Sequence, residues 1–163
     1  SVYFDVIRKK TAALFAACTK AAAFSVGMGE EEAEFARLLG EYIGICFQIK
    51  DDIFDYFDSK EIGKPTGNDI LEGKLTLPAL YVLNKTKDSV AQEIALKVKE
   101  GTATSDEITR LIEYVKENGG IEYAILTMNA YKQKAFDLLA SLPDSDVCVA
   151  LRAYLEYVVD REK

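Results

Sequence analysis

The sequence predicts an all-α fold, a helical bundle formed by one domain over residues 1–163. Apolar residues recur at helical spacing in almost every segment. Glycine and proline gather at the breaks between those segments. No strand–helix–strand alternation, heptad seam or internal repeat interrupts the pattern. With 163 residues, 49% of them apolar, the chain is long enough to bury a core.

The first element runs from Val2 to Phe24, Ala-rich and almost without breakers. Ser25-Val26-Gly27-Met28-Gly29 reads as a loop. Glu30 to Ser59 reads as one long helix with acids in its first turn, where the macrodipole favours them. Glu61 to Gly73 holds three Gly and a Pro, a loop with room for a short helical turn. Leu75 to Lys85 is helical, with Pro78 near its start, where proline is tolerated. Ser89 to Lys99 is amphipathic. Thr104-Ser105-Asp106-Glu107 offers a capping box ahead of Ile108, Leu111, Ile112 and Val115. Gly119-Gly120 ends that helix, and Ile121 to Leu142 and Asp146 to Asp160 are the last two. Pro143-Asp144 breaks helices and does not read as a domain linker.

Composition removes several function classes. A net charge of −7 argues against nonspecific nucleic-acid binding, which needs a basic surface. The absence of histidine removes His-based triads, His-ligated zinc and a histidine general base. Cys18, Cys46 and Cys148 are odd in number, far apart and match no metal spacing, so a reducing compartment, the cytoplasm, is expected. No apolar run reaches membrane-spanning length and no secretory signal is visible. The chain opens in mid-helix pattern without an initiator Met, as a fragment or processed product would.

The chemistry concentrates in Phe47-Gln48-Ile49-Lys50-Asp51-Asp52-Ile53-Phe54-Asp55. At 3.6 residues per turn Asp51, Asp52 and Asp55 share an arc of about 100°, with Gln48 inside it. Adjacent carboxylates on a helix are commonly a solvated face. Here the flanks are Tyr42, Ile43, Ile45, Cys46, Tyr56 and Phe57, and a helix apolar nearly all round should be buried. Three clustered anions there repel one another and are costly to desolvate, unless they face something positive. A hard divalent cation with oxygen ligands, Mg²⁺, fits best, and it commonly bridges to substrate phosphates. An EF-hand does not fit, because 51–58 lacks the order of ligands, central Gly and terminal Glu.

Two further features accompany the aspartates. Gly63-Lys64-Pro65-Thr66-Gly67-Asn68-Asp69 is followed by Gly73-Lys74-Leu75-Thr76-Leu77-Pro78. A lysine in a tight loop after the acidic helix can bring an ammonium to a diphosphate, although a plain surface turn has the same composition. It is not a P-loop, since neither the Gly-x4-Gly-Lys-Ser/Thr spacing nor a preceding strand is present. Lys9-Lys10-Thr11 on the first helix reads alone as an exposed basic turn.

Together these motifs resemble the trans-isoprenyl diphosphate synthases, the polyprenyl synthetase family. Tyr3-x3-Ile7-x2-Lys10-Thr11-Ala12-x-Leu14 looks like its Lys-Thr motif, and Phe47 to Asp55 like its second aspartate-rich motif. Gly63-Lys64 through Gly73-Lys74-x-Thr76-Leu77-Pro78 looks like the loop that follows, and Tyr157 to Lys163 is similar to the family's C-terminus. The resemblance implies the C-terminal part of the isoprenoid synthase fold. It implies that Asp51, with Asp52 and Asp55 nearby, holds Mg²⁺ bridging to an allylic diphosphate. Lys10 and Lys64 would contact that diphosphate, Gln48 and Thr11 would lie near the reacting carbons, and Lys74 would add positive potential. The partners implied are an allylic diphosphate and isopentenyl diphosphate, and a homodimer in full-length form, with a long-chain, octaprenyl-type product as the expectation.

Members of that family are roughly twice this long and carry a first aspartate-rich motif that is absent here, as is an Arg-Arg pair. The expectation is therefore a C-terminal half that is inactive alone. Three rivals remain at this point: a class I terpene cyclase, a noncatalytic helical subunit completing a partner's site, and a helical interaction domain with incidental carboxylates.

Overall fold

The computed structural model describes residues 2–57 and 67–162. Every regular element among them is helical. The order is α1 (Val2–Ile7), a π-helical turn (Arg8–Ala12), α2 (Ala13–Ser25), α3 (Glu30–Phe54), α4 (Asn68–Leu71), α5 (Leu77–Thr86), α6 (Ser89–Glu100), α7 (Ser105–Glu117), α8 (Gly120–Ala140) and α9 (Asp146–Asp160). No helix among the described residues is long and apolar enough to cross a membrane.

The chain divides into two compact units, one ending at Lys50 and resuming at Thr127, the other Asp51–Leu126. Both crossing points fall inside helices, α3 and α8, so no linker composition marks them. In the first unit Ile43, Ile45, Cys46 and Ile49 of α3 are buried with Ile7, Met128, Leu139, Leu155 and Val158. Burial pushes the Cys46 thiol up to about 12, which keeps it protonated and unreactive.

Two helix-interior glycines explain how α3 approaches the N-terminal helices. A Cβ on Gly40 would lie 2.6 Å from the Phe15 carbonyl oxygen, and one on Gly44 would lie 2.6 Å from the Ala12 Cα. Glycine in a helix costs about 1 kcal/mol relative to alanine. Here that cost is outweighed, because the obstructing atoms are backbone and cannot rotate away. Gly44→Ala is therefore expected to lower stability by about 1–3 kcal/mol, the usual overpacking range, despite its gain in helix propensity. Thermal unfolding checks this, and an unchanged or raised melting temperature would refute the close approach.

The second unit buries Ile53, Tyr56, Ile70, Val82, Ile94, Val98, Leu111 and Val115. Its helix starts follow the sequence closely. The Thr104 hydroxyl accepts from the Glu107 amide at 3.3 Å, and a Glu107 carboxylate oxygen accepts from the Thr104 amide at 2.9 Å, completing the capping box. Asp88 caps α6 by accepting from the Ala91 amide at 2.8 Å. In the first unit Ser145 does the same for α9, through the Cys148 amide.

Two elements differ from the sequence expectation. The first helix is not continuous α, because residues 8–12 are π-helical. The long helix ends at Phe54. There the amides of Tyr56 and Phe57 turn back to the carbonyls of Ile53 and Phe54, tightening the last turn, and Gly67 donates to the Asp55 carbonyl at 2.7 Å.

Candidate active site

The first group of motif residues lies in the N-terminal unit. Lys10 and Thr11 sit on the π-helical turn, where Lys10 is exposed. Such single π turns often accompany functional positions. Three contacts fix this one. Arg8 pairs with Glu41 of α3 at 3.2 Å. Ala12 is fully buried against Gly44. The Thr11 hydroxyl donates to the Gln48 side-chain oxygen at 2.6 Å, across 37 residues of sequence. The Lys-Thr motif and the start of the aspartate-rich motif thus meet directly.

The ring of Phe47, next to Gln48, lies 5.5 Å from that of Phe15. The Arg161 guanidinium sits 4.1 Å from the Phe47 ring centroid and donates to the Phe47 carbonyl at 3.2 Å. Sequence reasoning placed Arg161 in a stretch similar to the family's C-terminus without giving it a role, and it missed the Arg8–Glu41 pair. No spacing rule connects residues 114 positions apart.

The second group lies in the other unit. The three aspartates of the motif are not equivalent. Asp52 is only 2% exposed, whereas Asp51 and Asp55 are half-buried. An arc of about 100° straddles the edge of a helix's buried face, so one of its members goes inward. Burial raises the Tyr56 phenol well above its ordinary range, and the charges of Asp55 and Asp52 add to this.

Both Asp55 carboxylate oxygens accept from the Asp69 amide, at 3.2 and 3.1 Å. The Asp55 carboxyl is nevertheless held above its usual range. Burial is the main cause and the Asp69 charge adds to it, against the lowering effect of the amides. Gly67 makes this return possible. Its φ is +78°, and a Cβ there would lie 2.6 Å from Ile112 Cδ1. Lys74 is exposed, and its ammonium pairs with Glu72 and, at 3.7 Å, with Asp69. Lys64 lies outside the described residues. No three His, Cys, Asp or Glu side chains converge into a metal-binding group among the described residues.

Residues 1–115 match the family profile described as polyprenyl synthetase. The chain belongs to the polyprenyl synthetase family. It is 34% identical over 161 residues to the heptaprenyl diphosphate synthase component 2 of Bacillus subtilis, covering 98% of this chain and 45% of that one. Its fold is similar to the crystal structure of geranylgeranyl pyrophosphate synthase from Bacteroides thetaiotaomicron, with a TM-score of 0.94 and 76% identity over 99% of this chain and 52% of that one. It is also similar to a polyprenyl synthase from Caulobacter crescentus solved with calcium and isoprenyl diphosphate, with a TM-score of 0.89 and 32% identity, covering 99% and 50% of the two chains. The chain spans about half the length of the relatives it matches. The all-α isoprenoid synthase fold and the family resemblance expected from the sequence therefore hold.

Proposed function

We propose that this chain supplies the C-terminal catalytic portion of a trans-polyprenyl diphosphate synthase, which joins an allylic diphosphate to isopentenyl diphosphate. The observation that carries this reading is the 2.6 Å hydrogen bond from Thr11 to Gln48, which brings two of the family's motifs to one place. The name of the 76% identical relative favours a geranylgeranyl-length product over the octaprenyl type.

In this reading the allylic C–O bond breaks and diphosphate leaves. The double bond of isopentenyl diphosphate attacks the allylic cation, and a proton is lost. Lys10, with Lys64, binds the diphosphate oxygens as compact point charges. The hydrogen bond from Thr11 orients the Gln48 amide beside the reacting carbons. Phe47, Tyr42 and Phe54, all half-buried, give α3 apolar surface that can exclude water, while its isoleucines turn into the cores. Lys74 contributes less potential than its charge suggests, because Glu72 and Asp69 offset it.

The donor set fits Mg²⁺, since the motif carboxylates Asp51 and Asp55 offer oxygen ligands only. Bound there, Mg²⁺ would offset charge developing on the departing diphosphate. Asp51 and Asp55, half-buried, are the better-placed donors, whereas Asp52 is buried. One or two carboxylates suffice for Mg²⁺ when substrate phosphates complete its shell.

Calorimetric titration with inorganic diphosphate and Mg²⁺ tests the assignment. Lys10→Ala and Lys64→Ala are each expected to weaken binding by about tenfold, the scale of one charge-assisted contact. Lys85→Ala and Lys97→Ala should do little. Lys85 lies over the Tyr81 ring and Lys97 pairs with Glu93 and Glu107. Equal losses at all four positions would indicate general surface charge and overturn the reading.

One observation favours a second arrangement. The Bacillus subtilis relative is called component 2. In that arrangement this chain completes a site shared with a partner, a homodimer being the other form of association. Co-purification with a chain bearing another aspartate-rich motif would support the shared site.

A further inference from the structure

We propose that Arg161 is a positioning residue for Gln48, acting through the ring and the carbonyl of Phe47. The inference rests on the reading of Gln48 given above, but its geometry stands independently. α9 presents the guanidinium from a firm base, because Leu155, Val158 and Val159 are buried and the Arg161 amide closes the helix on the Tyr157 carbonyl at 2.9 Å. From there the guanidinium makes two different contacts with one residue. It stacks 4.1 Å from the Phe47 ring centroid and donates to the Phe47 carbonyl at 3.2 Å. A planar fork does both at once, whereas an ammonium does not.

Phe47 is thereby held on one side by Arg161, and its ring also meets Phe15 of α2. Gln48 is the next residue, and its side chain is tied back to Thr11. A shift of Phe47 moves the Cα of Gln48 while the Thr11 hydroxyl stays on the π-helical turn, so the 2.6 Å hydrogen bond reports on Arg161.

The test compares the parent chain with Arg161→Gln, Arg161→Lys and Phe47→Leu. It follows the Gln48 side-chain amide resonances and the affinity for inorganic diphosphate with Mg²⁺. Arg161→Gln is expected to move the Gln48 resonances and weaken diphosphate binding about fivefold, within the range of coupling between neighbouring residues. Arg161→Lys should not restore either. In the Phe47→Leu background, which removes the ring but keeps the carbonyl, Arg161→Gln should have a clearly smaller effect. Unmoved Gln48 resonances, full rescue by lysine, or an undiminished effect in the Phe47→Leu background would each overturn the proposal. A parent chain that binds no diphosphate would remove the functional reading instead, and the Gln48 resonances would still decide whether Arg161 positions that side chain.

Discussion

Incubated with Mg²⁺, farnesyl diphosphate and labelled isopentenyl diphosphate, residues 1–163 alone are expected to make no longer prenyl product. Elongation needs both reactants held in near-attack geometry, an effect worth about 7–11 kcal/mol. The chain carries one aspartate-rich motif where the family resemblance implies two, and it spans about half the length of its relatives. Exposed apolar side chains on α1 and α2 (Val2, Val6, Leu14 and Phe24) and on α9 (Val147, Val149 and Tyr157) suit a surface that other helices cover. Adding a polypeptide that corresponds to the first half of the relatives should restore turnover. Labelled product from these 163 residues by themselves would refute the prediction, and chromatography of the extracted prenyl chains reads it directly.

The second large effect is a ligand-dependent change in melting temperature. Mg²⁺ with inorganic diphosphate at a hundred times its dissociation constant stabilises the native state by about 2.7 kcal/mol. For a chain of this size that corresponds to roughly 5–10 °C. Asp51→Asn should abolish most of the rise, because it removes a half-exposed anion while keeping the side chain's size. Asp52→Asn should behave differently. Asp52 is 2% exposed, so the substitution should shift the baseline melting temperature and leave the response to ligand largely intact. A parent-like rise in Asp51→Asn would show that the metal lies elsewhere.

The aspartate motif shows where sequence reasoning reaches and where it stops. A helical wheel placed Asp51, Asp52 and Asp55 on one arc, and that angular relation follows from the backbone alone. Which of them faces inward depends on the packing of the second unit, and it is Asp52 beside Tyr56. The wheel also cannot show that the Asp55 carboxylate holds the Asp69 amide, since a 14-residue return of the chain brings the two together.

Local chemistry was legible throughout. The capping box at Thr104, the loop at residues 26–29 and the helical period of α5 to α9 each depend on neighbours within a few positions. Such preferences act before any tertiary contact forms. The Lys-Thr, aspartate and Gly-Lys motifs pointed to the family for the same reason: each is a short ordered string of residue types. What only the tertiary structure decided is where those strings meet. The π-helical turn at residues 8–12, the Thr11–Gln48 hydrogen bond and the Arg161 stack on Phe47 each involve partners distant in sequence or packing around α3, which approaches Ala12 and Phe15 closely at Gly44 and Gly40. Close approach is a property of two surfaces together, so neither surface's sequence contains it.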